Sequence, residues 1–376
     1  MGRWPEGPEG PGRVKSILWP RPSGSSSLGR ARPCQGRGSG FEARLPLHHL
    51  NSDSLFGGAS DPNASPTVVV AAAFLELHVM HVILFGAGAS YGSGAVHPEP
   101  PPLGDQLFDL LTRAFPASWG ALPNDHQARF RESFELGMGA LLATGSHAVP
   151  PMMQEFAILF SRYQSRPGNA YSLLVESLDE AGKIDRTAYA SLNYECLLEW
   201  ALMMYHQPVA YFGPKRGFTD VWKLHGSCNF LPTGLSVAPA RTGVTYGGSG
   251  VKIGAGIEPV EPSTVPSHLR DTGLYPAMAH YAPGKEVQIS EHSIQKVQDL
   301  YAAAVAAAES VGVIGVRPNV EDGHVWAPLA ETPARILYVG GRDAYNDWRR
   351  SHRGNRPTEH LGDRFSEAIA PLVDAL

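Results

Sequence analysis

Met80-His81-Val82-Ile83-Leu84-Phe85-Gly86-Ala87-Gly88-Ala89-Ser90 is a short apolar strand that runs directly into a glycine turn. A strand followed at once by Gly-x-Gly and a helix is how a nucleotide-binding α/β domain begins. Glycines at 86 and 88 let the backbone turn tightly and approach a pyrophosphate without a Cβ in the way. The N–H groups that follow face the negative charge. A dinucleotide is therefore the first ligand to consider, and residue 80 the first position of the fold.

Upstream, residues 1 to 66 are rich in Gly, Pro, Ser and Arg and carry neither the helical nor the strand hydrophobic period. Such a segment buries too little surface to offset chain entropy, so disorder is expected. Met80 stands immediately before the first strand, and residues 1–79 are read as a disordered or non-native extension, with translation starting at Met80.

The whole chain has 376 residues, 43% hydrophobic and 18% charged, which is the composition of an ordinary globular protein. Its net charge is −5 and its basic residues form no run that could track a phosphate backbone, so nucleic acid is not expected as a partner. Thr67 to Ala89 is broken by Glu76, His78 and His81, short of the roughly 20 apolar residues that span a bilayer. No apolar stretch typical of a secretory signal follows Met1. Cys34, Cys196 and Cys228 form no C-x-x-C pair, which excludes a cysteine zinc ribbon and a disulfide framework. A cytoplasmic protein without a metal is the expectation.

Beyond residue 80, strand-like runs alternate with helical ones. Strands are expected at 82–85, 187–192, 209–212, 221–224, 311–315 and 335–339, with a short β-like stretch at 250–253. Helices are expected at 103–115, 125–142, 152–164, 170–180, 195–205, 291–310 and 361–376, with Ser290 as N-cap of the penultimate one. Residues 228–290 read as a loop-rich insertion within a single domain, 80–376. This alternation implies a doubly wound, Rossmann-like parallel sheet with its ligand site at the carboxyl ends of the strands. Gly86–Ser90, Asn193-Tyr194-Glu195, His225-Gly226-Ser227 and Gly315–Asp322 all fall at such ends.

A dehydrogenase fingerprint needs glycine where this chain has Tyr91, and an acidic residue about 20 positions on at the end of a second strand. That region is instead Pro98–Pro102 followed by a helix, so hydride transfer is disfavoured.

Gly86-Ala87-Gly88-Ala89-Ser90, Pro102-Leu103-Gly104, Ser191-Leu192-Asn193-Tyr194-Glu195-Cys196-Leu197-Leu198-Glu199 and Lys223-Leu224-His225-Gly226-Ser227 occur in that order. Together they resemble the sirtuin-like (silent-information-regulator-like) NAD-binding domain, in its bacterial branch without the zinc module, over about residues 80 to 345. The resemblance implies that Gly86, Ala87, Gly88 and Ser90 wrap the NAD pyrophosphate and that Asn193 contacts the nicotinamide ribose and positions a nucleophile. It implies that His225 is the base activating a ribose hydroxyl or water. Gly226 and Ser227, beside His225, are expected to bind the cofactor as well, while Gly315 and Gly340 face the adenosine half. One departure is Glu195, where aspartate usually follows Asn-Tyr; it keeps the charge on a longer arm. The absent cysteine pairs argue against protein deacylation, since in deacylating relatives a zinc ribbon helps build the acyl-lysine cleft.

The reaction implied is hydrolysis of the nicotinamide–ribose bond of NAD, with a role in antiphage defence. Breaking that bond creates an oxocarbenium-like centre, which calls for pre-placed dipoles and a near-neutral base. The competing expectation is a non-catalytic module that binds NAD or ADP-ribose and signals through a partner. An enzyme of this kind needs a trigger, either a homo-oligomer or a separate activating protein. Asp322 and His324, in a loop, suit either a ribose contact or a plain turn; Cys196 and Cys228 read as buried small hydrophobes.

Overall fold

The computed structural model describes residues 79–145, 147–234, 244–247, 250–270, 272–282, 284–319 and 321–376. The expectations about residues 1–78, Cys34 included, lie outside the described residues.

Seven parallel strands make the central sheet: β1 (His81–Phe85), β2 (Thr187–Ser191), β3 (Val209–Ala210), β4 (Thr219–Lys223), β5 (Ser310–Ile314), β6 (Arg335–Val339) and β7 (Thr358–Gly362). Their order is β7-β6-β5-β1-β2-β4-β3. The chain thus builds outward from β1 on one side and then crosses back to β5 on the other, so β1 and β5 flank the point where the winding direction reverses. In a doubly wound sheet that reversal opens a crevice at the strand ends.

Register makes those ends flush. Phe85 pairs with both Ser191 and Ile314, and Ser191 pairs with Lys223. Backbone bonds extend the ladder one step further, from Gly86 N to Ile314 O and from Leu192 N to Phe85 O. The four connections leaving β1, β2, β4 and β5 consequently emerge along one edge.

Side chains alternate across the sheet with period two. Ile83, Phe85, Tyr189, Val221 and Leu337 point into one core layer. There they meet the helices Ala170–Glu180, Leu197–Met204 and Phe365–Ala375. Val82, Leu84, Ala188, Ala190, Trp222, Val311 and Val313 point into the other, against Glu291–Ala307, Gly323–Glu331 and Arg342–His352. Both faces are covered, which is why every residue of β1, β2, β4 and β5 is buried.

Several expectations from sequence are refined. The helix expected at 125–142 is two, Asn124–Glu132 and Phe134–Ala143, because Ser133 takes an extended conformation between them. The 361–376 helix begins later, at Phe365, and the residues before it form the edge strand β7. Ser290 occupies the N-cap position but does not cap; it sits in the left-handed region, and its hydroxyl donates to Ala255 O at 2.9 Å. The β-like stretch at 250–253 is a strand, Gly250–Ile253, paired with Val244–Gly247. No described helix is long and apolar enough to cross a membrane.

Candidate functional site

A cavity of about 850 Å³ opens at the carboxyl ends of β1, β2, β4 and β5. Pockets for small molecules and cofactors are typically about 300–1,000 Å³ and sit at this switch point in open α/β sheets. Gly86, Ala87, Gly88, Ser90, Asn193, His225 and Gly315 all line it. Gly226, Ser227 and Gly340 do not. The Ser227 hydroxyl is fully buried and bonds Tyr194 O at 3.2 Å, and Gly340 N bonds Gly362 O at the far side of the sheet.

At the glycine-turn end, polar groups satisfy one another. The Asn193 side chain bonds Gly86 O at 3.0 Å and Ser90 Oγ at 2.8 Å. Because a carbonyl can only accept, the amide nitrogen must face Gly86, and both its hydrogens are committed. What remains of the Asn193 amide for the cavity is its oxygen. Ser90 Oγ donates its one hydrogen to Glu195 Oε1 at 2.5 Å, so Tyr171 OH, 2.8 Å away, donates to Ser90. The other Glu195 oxygen accepts from Leu197 N at 2.6 Å. Glu195 thus ties the glycine turn to the helix after β2, and the longer arm is what spans the two.

Lys223, fully buried at the end of β4, donates to Glu195 O at 2.5 Å and lies 3.3 Å from Glu199. Asn169 holds the outgoing chain: its side chain caps the helix Ala170–Glu180 through Tyr171 N and also donates to Ser93 and Gly94. On the β5 side, Gly315 sits at φ +64, and a Cβ there would stand 2.0 Å from Ala89 N. Glycine is required by conformation and by space alike. The close approach lets Gly88 N donate to Gly315 O at 3.0 Å, which removes that amide from the set facing a ligand.

At the other end stand His225, Asp322 and His324. His225 follows β4, and Gly226 beside it needs its glycine because a Cβ would meet Ala277 O at 2.0 Å with φ at +75. His225 Nε2 lies 3.0 Å from His324 Nε2 and 3.6 Å from Asp322 Oδ1. Burial holds the His225 imidazole well below its ordinary pKa, with His324 and Lys285 adding to the shift. Burial and Lys285 lower His324 as well. Both rings are therefore neutral near pH 7. Burial raises the Asp322 carboxyl, against the pull of Lys285, and Asp322 Oδ1 accepts no hydrogen bond.

Sequence reasoning missed the outer wall: Arg131, Glu135, Tyr281, Lys285 and Arg317. Lys285 pairs with Glu135 and its ammonium lies 4.4 Å above the Tyr281 ring. All but Arg317 come from the helical and loop-rich insertions, where no strand end marks them; Arg317 lies in the Gly315–Asp322 stretch after β5 and was not singled out there.

No family model and no curated protein matches this sequence. Among solved structures, the chain is similar to a complex of Sir2, p53 peptide and NAD+ at 15% identity and TM-score 0.36, covering 81% of this chain and 94% of that one. It is similar to a Sir2 homolog bound to NAD at 14% identity and TM-score 0.35, covering 82% and 93%. A structure described as the structural basis of sirtuin substrate affinity aligns at 13% identity and TM-score 0.39, covering 81% and 95%.

Proposed function

We propose that this chain is a sirtuin-like NAD+ hydrolase that cleaves the nicotinamide–ribose bond to give nicotinamide and ADP-ribose. The observation that carries this reading is the convergence of Asn193, His225 and the glycine turn on one cavity at the β1/β5 switch point. The dinucleotide lies along the strand ends, its pyrophosphate against Gly86–Gly88 and its nicotinamide ribose between Asn193 and His225.

The chemistry follows from the groups that remain free. As the bond from C1′ to the nicotinamide nitrogen breaks, its electron pair leaves with nicotinamide and positive charge develops on the ribose. The Asn193 amide oxygen, fixed because its nitrogen is held by Gly86 and Ser90, is the dipole aimed at that charge. A water oxygen then bonds C1′ and gives up its proton on the His225 side, where a neutral imidazole can receive it. The sum is NAD+ plus water giving nicotinamide, ADP-ribose and a proton. A role in antiphage defence, a bacterial setting and a cytoplasmic location belong to this same reading.

The test is nicotinamide release from NAD+ by the full chain, run beside Asn193→Ala and His225→Ala at matched concentration. Release that falls at least about 100-fold in both variants, the scale of a lost catalytic group, supports the hydrolase. Retained NAD+ binding with no release by the parent points instead to a binding module.

A further inference from the structure

The His225, Asp322 and His324 group is arranged unlike the rest of the cavity. Their ligand-capable atoms, Nε2, Oδ1 and Nε2, all lie within 4.8 Å of one another, with two of the separations 3.0 and 3.6 Å. Zinc bound tetrahedrally at about 2.0–2.1 Å separates its nitrogen and oxygen ligands by roughly 3.3–3.4 Å. The observed pair distances fall on either side of that value. Asp322 stands at the N-cap position of the helix Gly323–Glu331, yet its side chain makes no capping bond. Its Oδ1 is buried without a hydrogen-bond donor, in a residue only 8% exposed. A buried carboxylate oxygen that lacks a donor and stands beside two imidazole nitrogens is a position that a cation joining them would satisfy.

We propose that His225, Asp322 and His324 hold one divalent transition-metal ion at the inner end of the cavity, with zinc the best match to the ligand set. Two imidazoles and one carboxylate disfavour calcium and magnesium, which prefer all-oxygen shells. Three protein ligands leave at least one coordination position, and since His225 and Asp322 line the cavity, that position turns toward the ligand. It takes a water or a ligand oxygen. The metal-free expectation rested on cysteine spacing, which speaks only to thiolate ligands. The inference deepens the NAD+ reading and rests on it for the ion's role, though not for its binding. With the ion present, His225 would serve as its ligand, and the ion would supply an acidified water, whose hydroxide form is the one able to bond C1′.

The experiment uses the metal-free full chain and adds Co2+ alone, then Zn2+ in competition, with no nucleotide present. Expected are one equivalent per chain and visible cobalt bands of a tetrahedral or five-coordinate site. Sulfur-to-cobalt charge transfer should be absent, which excludes Cys196 and Cys228 as ligands. His324→Gln and Asp322→Asn should each weaken binding at least about tenfold, with folding checked by circular dichroism. The spectrum of the unaltered protein tests the ligand type even if a variant misfolds. No stoichiometric binding, or binding unchanged in both folded variants, would overturn the proposal and leave the two histidines as a hydrogen-bonded pair. Failure of the NAD+ reading is a separate result: no nicotinamide release from metal-loaded or metal-free protein, with the cobalt spectrum intact.

Discussion

The two ends of the cavity are built to opposite rules. At the glycine-turn end, the Ser90, Asn193, Glu195 and Tyr171 side chains use one another's donors and acceptors, so that of the Asn193 amide only the oxygen is left for a ligand. At the other end, His225 and His324 present nitrogens to each other and Asp322 keeps an unpartnered oxygen. A satisfied buried network fixes geometry, whereas an unsatisfied one is held in place by the surrounding fold until something binds. The first end positions; the second receives.

The largest effect should fall on turnover at the positioning end. Asn193→Ala removes the cavity-facing dipole and the two bonds that hold the glycine turn, and nicotinamide release should drop about 100-fold or more. A smaller loss than for His324→Gln would reverse the assignment of the two ends.

Next comes Gly315→Ala, which forces a Cβ into the backbone at Ala89 and a left-handed conformation onto alanine. Stability should fall by more than about 2 kcal/mol in denaturant unfolding. Little change would mean that the β1/β5 contact is loose.

A third contrast compares the ends directly. Ser90→Ala leaves Glu195 Oε1 without its donor and should lower stability by about 1–3 kcal/mol. Asp322→Asn removes a charge that burial disfavours together with its attraction to Lys285, so the metal-free variant should lose less stability than Ser90→Ala. Equal losses in both variants would erase the distinction.

The broadest effect is a pH baseline from His280, outside both ends. Burial lowers its pKa to about 4, and Tyr275 OH lies 2.9 Å from its Nε2. Because the folded pKa lies below the unfolded value of 6.5, the unfolded chain binds more protons between them. Stability is therefore full above pH 6.5 and falls as pH drops toward 4, by at most roughly 3 kcal/mol. His280→Gln should flatten that slope in unfolding curves taken across the range. An unchanged slope would place the dependence on other buried groups, His81 or those of the cavity.

Much of the central sheet was legible because buried parallel strands are short apolar runs ending in turn residues, as at Val82–Phe85 and Arg335–Val339. Strand β7 was not, since Thr358–Gly362 is a half-exposed edge with no such run. The cavity residues at strand ends were legible for the same topological reason. Lys285 and Tyr281 were not, because an insertion that folds back over the cavity announces itself by no period. The pairing of His225 with His324 is likewise a product of β4 and β5 standing on opposite sides of β1 and β2, with 99 positions between the two rings in sequence. Glu195 shows the limit of residue type alone: whether its extra methylene helps depends on the span to Ser90.

The most direct measurement is NAD+ turnover by the full chain in water enriched in heavy oxygen, with the products read by mass spectrometry. Free nicotinamide and ADP-ribose carrying one heavy oxygen are expected from the parent and should be lost in Asn193→Ala. No release, or ADP-ribose without the label, would contradict water attack at this cavity.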